Sequence, residues 1–83
     1  MNKVLIEVKL PAAELSYDIF VPDSMQIGTL TALTAAVFSR LSGGVYTAGE
    51  QAVLCEQRTG EQYDVNARIF ETDIRNGTKL LLY

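Results

Sequence analysis

Residues 25–41 constrain this chain more than any other segment, because they alone carry helical spacing in a sequence otherwise patterned for strands. Ile27, Leu30, Thr34, Val37 and Leu41 recur at three- and four-residue steps, with Leu33 and Phe38 beside the stripe. Asp23 or Ser24 is placed to cap the start. Ser42-Gly43-Gly44 closes the end, where glycine tolerates a left-handed conformation. Gly28 weakens the first turn by about 1 kcal/mol relative to alanine. A lone helix with one apolar side must bury it, and a sheet is the partner the rest of the chain supplies.

Residues 3–10 set Val4, Ile6, Val8 and Leu10 on one side and Leu5, Glu7 and Lys9 on the other, the two-residue period of a half-buried strand. Pro11-Ala12-Ala13-Glu14 breaks the run. Leu15, Tyr17, Ile19 and Val21 then alternate against Ser16, Asp18 and Phe20 in a second strand, so the two form a hairpin that Pro22 ends. Beyond the helix, residues 45–49 are irregular and 52–56 read as a third strand. Arg58-Thr59-Gly60-Glu61 turns the chain into 62–65, a second hairpin. Residues 66–73 are read as an irregular or short helical connection in which Ile69, Phe70 and Ile74 face the core. Asn76-Gly77 makes a tight turn into a last strand at 78–83. Leu80-Leu81-Leu82 is apolar on both faces and suits the middle of a sheet, beside the first strand. The expected fold class is α+β: a mixed sheet of four to five strands with one helix across one face, forming one domain over residues 1–83. No repeat, linker or low-complexity segment interrupts it.

Composition removes several function classes. Ten acidic against seven basic residues give a formal charge of −3, and the cations do not cluster, so nucleic acid is not an expected partner. With no histidine and one cysteine, Cys55, the chain lacks the usual general base and metal ligands and cannot close an internal disulfide. No enzyme activity, cofactor or metal is expected. A 48% hydrophobic, 20% charged chain is globular. The start, Met-Asn-Lys followed by Val4-Leu5-Ile6 and Glu7, contains no signal-peptide or membrane-spanning run, so a cytoplasmic address without direct membrane insertion is expected.

The order of elements, the helix opening Asp23-Ser24-Met25-Gln26-Ile27-Gly28-Thr29-Leu30 and the ending Asp73-Ile74-Arg75-Asn76-Gly77-Thr78-Lys79-Leu80-Leu81-Leu82 resemble ubiquitin. Among ubiquitin-like (β-grasp) proteins the chain most resembles the small bacterial YukD/EsaB family, which accompanies the type VII (WXG100 or Esx) secretion machinery of Gram-positive bacteria. The resemblance spans essentially the whole chain, and its best local signature is the ending. It implies a ubiquitin-like β-grasp and a protein partner in the secretion apparatus. Conjugated and sulfur-carrying relatives need a C-terminal Gly-Gly. This chain ends Leu82-Tyr83, and its Gly43-Gly44 pair is internal, so activation of the tail is not expected. An iron-sulfur cluster would need four thiolates where one is available.

A single sheet covered on one side should be polar on the other. By alternation Leu5, Phe20, Leu54, Leu81 and Tyr83 point away from the helix, and if neighbouring strands bring them together they form a protein-binding patch. A one-residue slip in any strand would instead send its outer residues into the core. Cys55 is expected to point inward with Val53 as a small apolar residue. Glu56, Glu61 and Asp64 flank the second hairpin, where a solvated surface is the simpler account and no pocket is evident. The basic side chains Lys9, Arg40, Arg58, Arg68, Arg75 and Lys79 are scattered and solvated. The second strand should be a sheet edge open to another chain.

The expected function is therefore a non-conjugated ubiquitin-like module that binds protein, by resemblance a cytosolic accessory of type VII secretion. Two other readings compete with it: a modifier or sulfur carrier, and a self-assembling homo-oligomeric domain.

Overall fold

The structure is a computed structural model, and it describes residues 2–43 and 52–83. Two eight-residue strands, β1 (Lys3–Leu10) and β2 (Leu15–Pro22), pair antiparallel in unbroken register from Lys3 opposite Pro22 to Leu10 opposite Leu15. A 3-10 turn at Pro11–Ala13 joins them, and Glu14 closes it at φ 53°. Helix α1 spans Ile27–Leu41. Strands β3 (Leu54–Glu56) and β4 (Lys79–Leu82) complete a four-stranded sheet in the order β2-β1-β4-β3, with β4 parallel to β1 and antiparallel to β3. The all-leucine run thus lies in the middle of the sheet beside β1.

The core lies between α1 and one face of the sheet. Ile6, Val8 and Leu10 of β1, Leu80 and Leu82 of β4, and Leu30 and Phe38 of α1 are all essentially inaccessible. Each such side chain contributes about 1.5–3 kcal/mol by leaving water. Phe38 packs edge-on against Tyr17, ring centroids 4.9 Å apart at 75°. The buried side of α1 is Ile27, Leu30, Thr31, Thr34, Ala35 and Phe38. The two threonines satisfy their hydroxyls on the helix itself, Thr31 donating to Ile27 O at 2.8 Å and Thr34 to Leu30 O at 3.0 Å. Leu41, expected on the stripe, is the last helical residue and is 56% exposed.

Several expectations are corrected. The helix begins at Ile27 with Gln26 as N-cap and no capping side chain, so neither Asp23 nor Ser24 caps it. Its first N–H groups are instead satisfied from a distant segment: Ile27 donates to Ala67 O at 2.8 Å and Gly28 to Val65 O at 2.9 Å. That segment stays attached through Ile69 N–H to Met25 O and Phe70 N–H to Asp23 O, both 2.9 Å. A 3-10 turn, Ile69–Glu71, follows, with Ile69 buried; Ile74, beyond it, is buried too. Phe70, expected in the core, is 57% exposed, because successive residues of so tight a turn cannot all face one side. The second strand of the predicted 62–65 hairpin shrinks to one bridge, Cys55 with Gln62. At the helix end Gly43 takes φ 64° as expected. Gly44 and the irregular segment 45–49 lie outside the described residues.

Candidate protein-binding site

The sheet face opposite α1 is assembled in rows by strand register. The first row is Phe20 beside Leu5. Leu5 is tied in turn to the β4 approach, donating its N–H to Asn76 Oδ1 and accepting from Gly77 N–H, both at 2.8 Å. Gly77 achieves this at φ 88°, a conformation that suits glycine. The second row is Asp18, Glu7 and Lys79, followed by Gln57, whose N–H donates to Lys79 O at 3.1 Å. The third is Ser16, Lys9, Leu81 and Cys55. At the far end Val53 and Tyr83 exchange backbone hydrogen bonds of 3.0 and 2.9 Å.

This arrangement keeps four of the five expected patch residues on the open face and removes one. Phe20 and Tyr83 are 65% and 58% exposed, and Leu5 and Leu81 are half-buried. Leu54 is 2% exposed, belongs to the core, and pairs with Leu82. The β3 register is one residue out from the expectation, and Cys55 takes the outward place opposite Leu81. Even there its residual exposure is 8%, so the thiol is covered on the open face rather than in the core. Nor do the survivors merge. Leu5 and Lys9 are four residues apart on β1, about 13 Å at ~3.3 Å per residue, and the charged second row lies between. The face carries two apolar ends, Leu5 with Phe20 and Leu81 with Tyr83 and Val53, divided by Asp18, Glu7 and Lys79.

The charged row of the divided face contains a like-charged pair. Glu7 and Asp18 stand directly opposite each other, an unfavourable placement of like charges. Among the described residues the ion pair is Arg58 Nε with Glu56 Oε1 at 3.8 Å, and neither carboxylate of the row takes part in it. The hairpin alternation already put both on one face, which was the available signal.

A second feature is an open polar recess of about 650 Å³ lined by Glu56, Arg58, Asp73, Asn76 and Lys79 among others. It does not gather the three acids expected at the second hairpin: Asp73 joins Glu56, while Glu61 and Asp64 stay outside its lining. Its carboxylates are engaged locally. Glu56 accepts from Thr59 N–H at 2.8 Å; burial pushes its carboxyl up, and the Thr59 hydrogen bonds with the Arg58 guanidinium outweigh that and hold it below the usual value. Asp73 meets the Tyr63 hydroxyl at 3.4 Å, and burial together with nearby Asp73, Glu56 and Glu61 raises that phenol well above its ordinary range. Among the described residues no group of three metal-ligating side chains occurs, and no helix is long and apolar enough to cross a membrane.

No protein-family model matches the chain, and no curated protein matches it. Solved structures do. The EccD5 ubiquitin-like domain from Mycobacterium xenopi superposes with a TM-score of 0.81 at 15% identity, over 100% of this chain and 94% of that one. The ubiquitin-like domain of the Mycobacterium tuberculosis type VII secretion system protein EccD1 gives 0.75 at 14% identity, over 99% and 98%. A chain of the MycP5-free ESX-5 inner membrane complex gives 0.79 at 15% identity, over 98% of this chain and 20% of that one. Identities this low speak to architecture, and the architecture is plain: this chain has the ubiquitin-like β-grasp fold, and type VII secretion domains are among its structural neighbours.

Proposed function

We propose that this chain is a non-conjugated ubiquitin-like module of the YukD/EsaB kind, a cytosolic accessory that binds a protein component of a type VII (WXG100) secretion apparatus. The observation that carries the reading is the bare sheet face, where Phe20 and Tyr83 stay more than half exposed on a scaffold shaped like the EccD domains. Large side chains left in water on an otherwise polar face favour association. A protein surface is the fitting ligand: the open recess has its carboxylates occupied, and the chain's cations are dispersed. The ending Asp73-Ile74-Arg75-Asn76-Gly77 supports the family: Ile74 is buried, Gly77 turns at φ 88°, and the chain enters β4.

The test is a titration of isotope-labelled chain with purified cytosolic domains of the apparatus. Amide shifts confined to the open face, abolished in the folded variants Phe20→Asp and Leu81→Asp, are the expected result. Equal binding by both variants overturns the face as the interface, and no binding to any component overturns the secretion role. The modifier reading predicts a covalent adduct after incubation with ATP and activating enzymes, visible as a change in intact mass.

A further inference from the structure

The two edges of the sheet are finished differently. β3 is lined by the turn that follows it: Glu56 N–H donates to Glu61 O at 2.9 Å, Gly60 N–H to Glu56 O at 2.8 Å and Tyr63 N–H to Leu54 O at 3.3 Å. β2 has β1 on one side, and among the described residues no backbone group bonds to the other. Its protections are limited to one charge, Asp18, and a proline at its end. Its eight residues run without a bulge, contain no lysine, and place proline last.

Ladder parity identifies the free groups. Glu7 N–H donates to Thr78 O at 3.1 Å, and Leu5 uses its N–H and C=O on Asn76 and Gly77, so the odd-numbered residues of β1 turn their backbone toward β4. The even-numbered ones therefore bond β2, where their register partners are Leu15, Tyr17, Ile19 and Val21. The N–H and C=O groups of Ser16, Asp18 and Phe20 remain, turned outward along the edge. The core-facing side chains of the same strand are incompletely covered: Leu15, Tyr17 and Ile19 are half-buried, whereas Ile6, Val8 and Leu10 on β1 are sealed.

We propose that the β2 edge receives an extended segment of another protein as a fifth strand, one that sets a lysine or arginine against Asp18 and apolar residues against Tyr17 and Ile19. Such a strand would satisfy the three outward residues, finish burying the flank beside α1, and set a cation beside Asp18 on the side away from Glu7, which has Lys79 as its own neighbour on β4. A second copy of this chain does not fit. The antiparallel self-pairing that uses all three outward residues sets Asp18 against its own copy, in a row of four carboxylates. Shifting by two residues to part them sets Ser16 against Pro22, which has no N–H, or Phe20 against Glu14, which holds a left-handed turn. The proposal does not depend on which apparatus the chain serves.

Two acetylated, amidated peptides built on Leu-Val-Lys-Val-Ser and Leu-Val-Glu-Val-Ser, with identical soluble flanks, test it by nuclear magnetic resonance titration. The lysine peptide should shift and protect the amides of Ser16, Asp18 and Phe20, and bind about five-fold more tightly than the glutamate peptide. Asp18→Lys, checked for folding by circular dichroism, should reverse that preference. Equal affinities, shifts centred on Lys79, Leu81 and Tyr83 or on β3 rather than on β2, or no binding at millimolar peptide would overturn the proposal, as would a wild-type dimer joined through β2 in ultracentrifugation.

Discussion

Leu54 and Leu81 are the same side chain on neighbouring strands, and their environments differ completely. Leu54 is 2% exposed in the core while Leu81 is half-buried on the open face. Leu54→Ala should cost about 2–5 kcal/mol in urea denaturation, whereas Leu81→Ala should cost a fraction of that. The sequence did not separate them, because 52–56 is apolar at both parities and a three-residue strand leaves no long alternation to settle phase. What settles it is the pairing with β4, a tertiary fact. Tyr63 carries an alkaline pH signature, to which Tyr17, its phenol also pushed up by burial, adds with the same sign. The Tyr63 phenol is held above the usual value near 10 by burial and by Asp73, Glu56 and Glu61, so the unfolded chain ionises first on raising the pH. The sign follows: stability from this group is complete below about pH 10 and declines as pH climbs toward the folded value. Denaturation midpoints from pH 8 to 11 should fall for the wild type and fall less for Tyr63→Phe.

At the scale of elements, the helix shows what a local reading reaches and what it misses. The spacing of Ile27, Leu30, Thr34 and Phe38 is in the chain itself, as is the glycine that ends the helix, and β1 begins and ends where its alternation does. The start of α1 was misplaced because its donors are capped by carbonyls some forty residues away, at Val65 and Ala67, rather than by a neighbouring Asp or Ser. Gly28 belongs to that junction. A Cβ there would stand 3.2 Å from Val65 O, so the roughly 1 kcal/mol that alanine gains in a helix interior should be absent from Gly28→Ala. Gly28→Val, which adds bulk against the same carbonyl, should destabilise outright in thermal denaturation. Gly77→Ala tests the turn at the other end of the sheet: φ 88° disfavours any Cβ, and a loss of at least about 1 kcal/mol is expected. Wild-type behaviour from Gly28→Val would show that the Val65 carbonyl does not brace the helix start.

For the molecule as a whole, topology was the most legible level, since one helical stripe, one alternating hairpin and one doubly apolar strand leave few ways to close a core. The functional surface was legible only in part. Alternation placed Leu5, Phe20, Leu81 and Tyr83 outside, yet their separation depends on the offset between β1 and β4, which pairs Glu7 with Lys79 and drives a charged row between the apolar ends. Within that row the Glu7–Asp18 contact opposes the fold, while Lys79 flanks Glu7 on the other side. The chain already carries a net −3, and Glu7 opposite Asp18 adds a local repulsion of about 0.2–1 kcal/mol at low salt. Asp18→Asn removes the repulsion and keeps the side-chain shape, so its unfolding free energy should exceed the wild type's by that amount in dilute buffer. The Debye length falls from about 30 Å at 0.01 M to 3 Å at 1 M, so the advantage should shrink as salt rises; comparing variant with wild type at each concentration cancels the effects of salt on the rest of the protein. An advantage that persists undiminished at 1 M would mean that Asp18 destabilises the strand through its shape or hydrogen bonding, and the electrostatic reading of the row would fail with it.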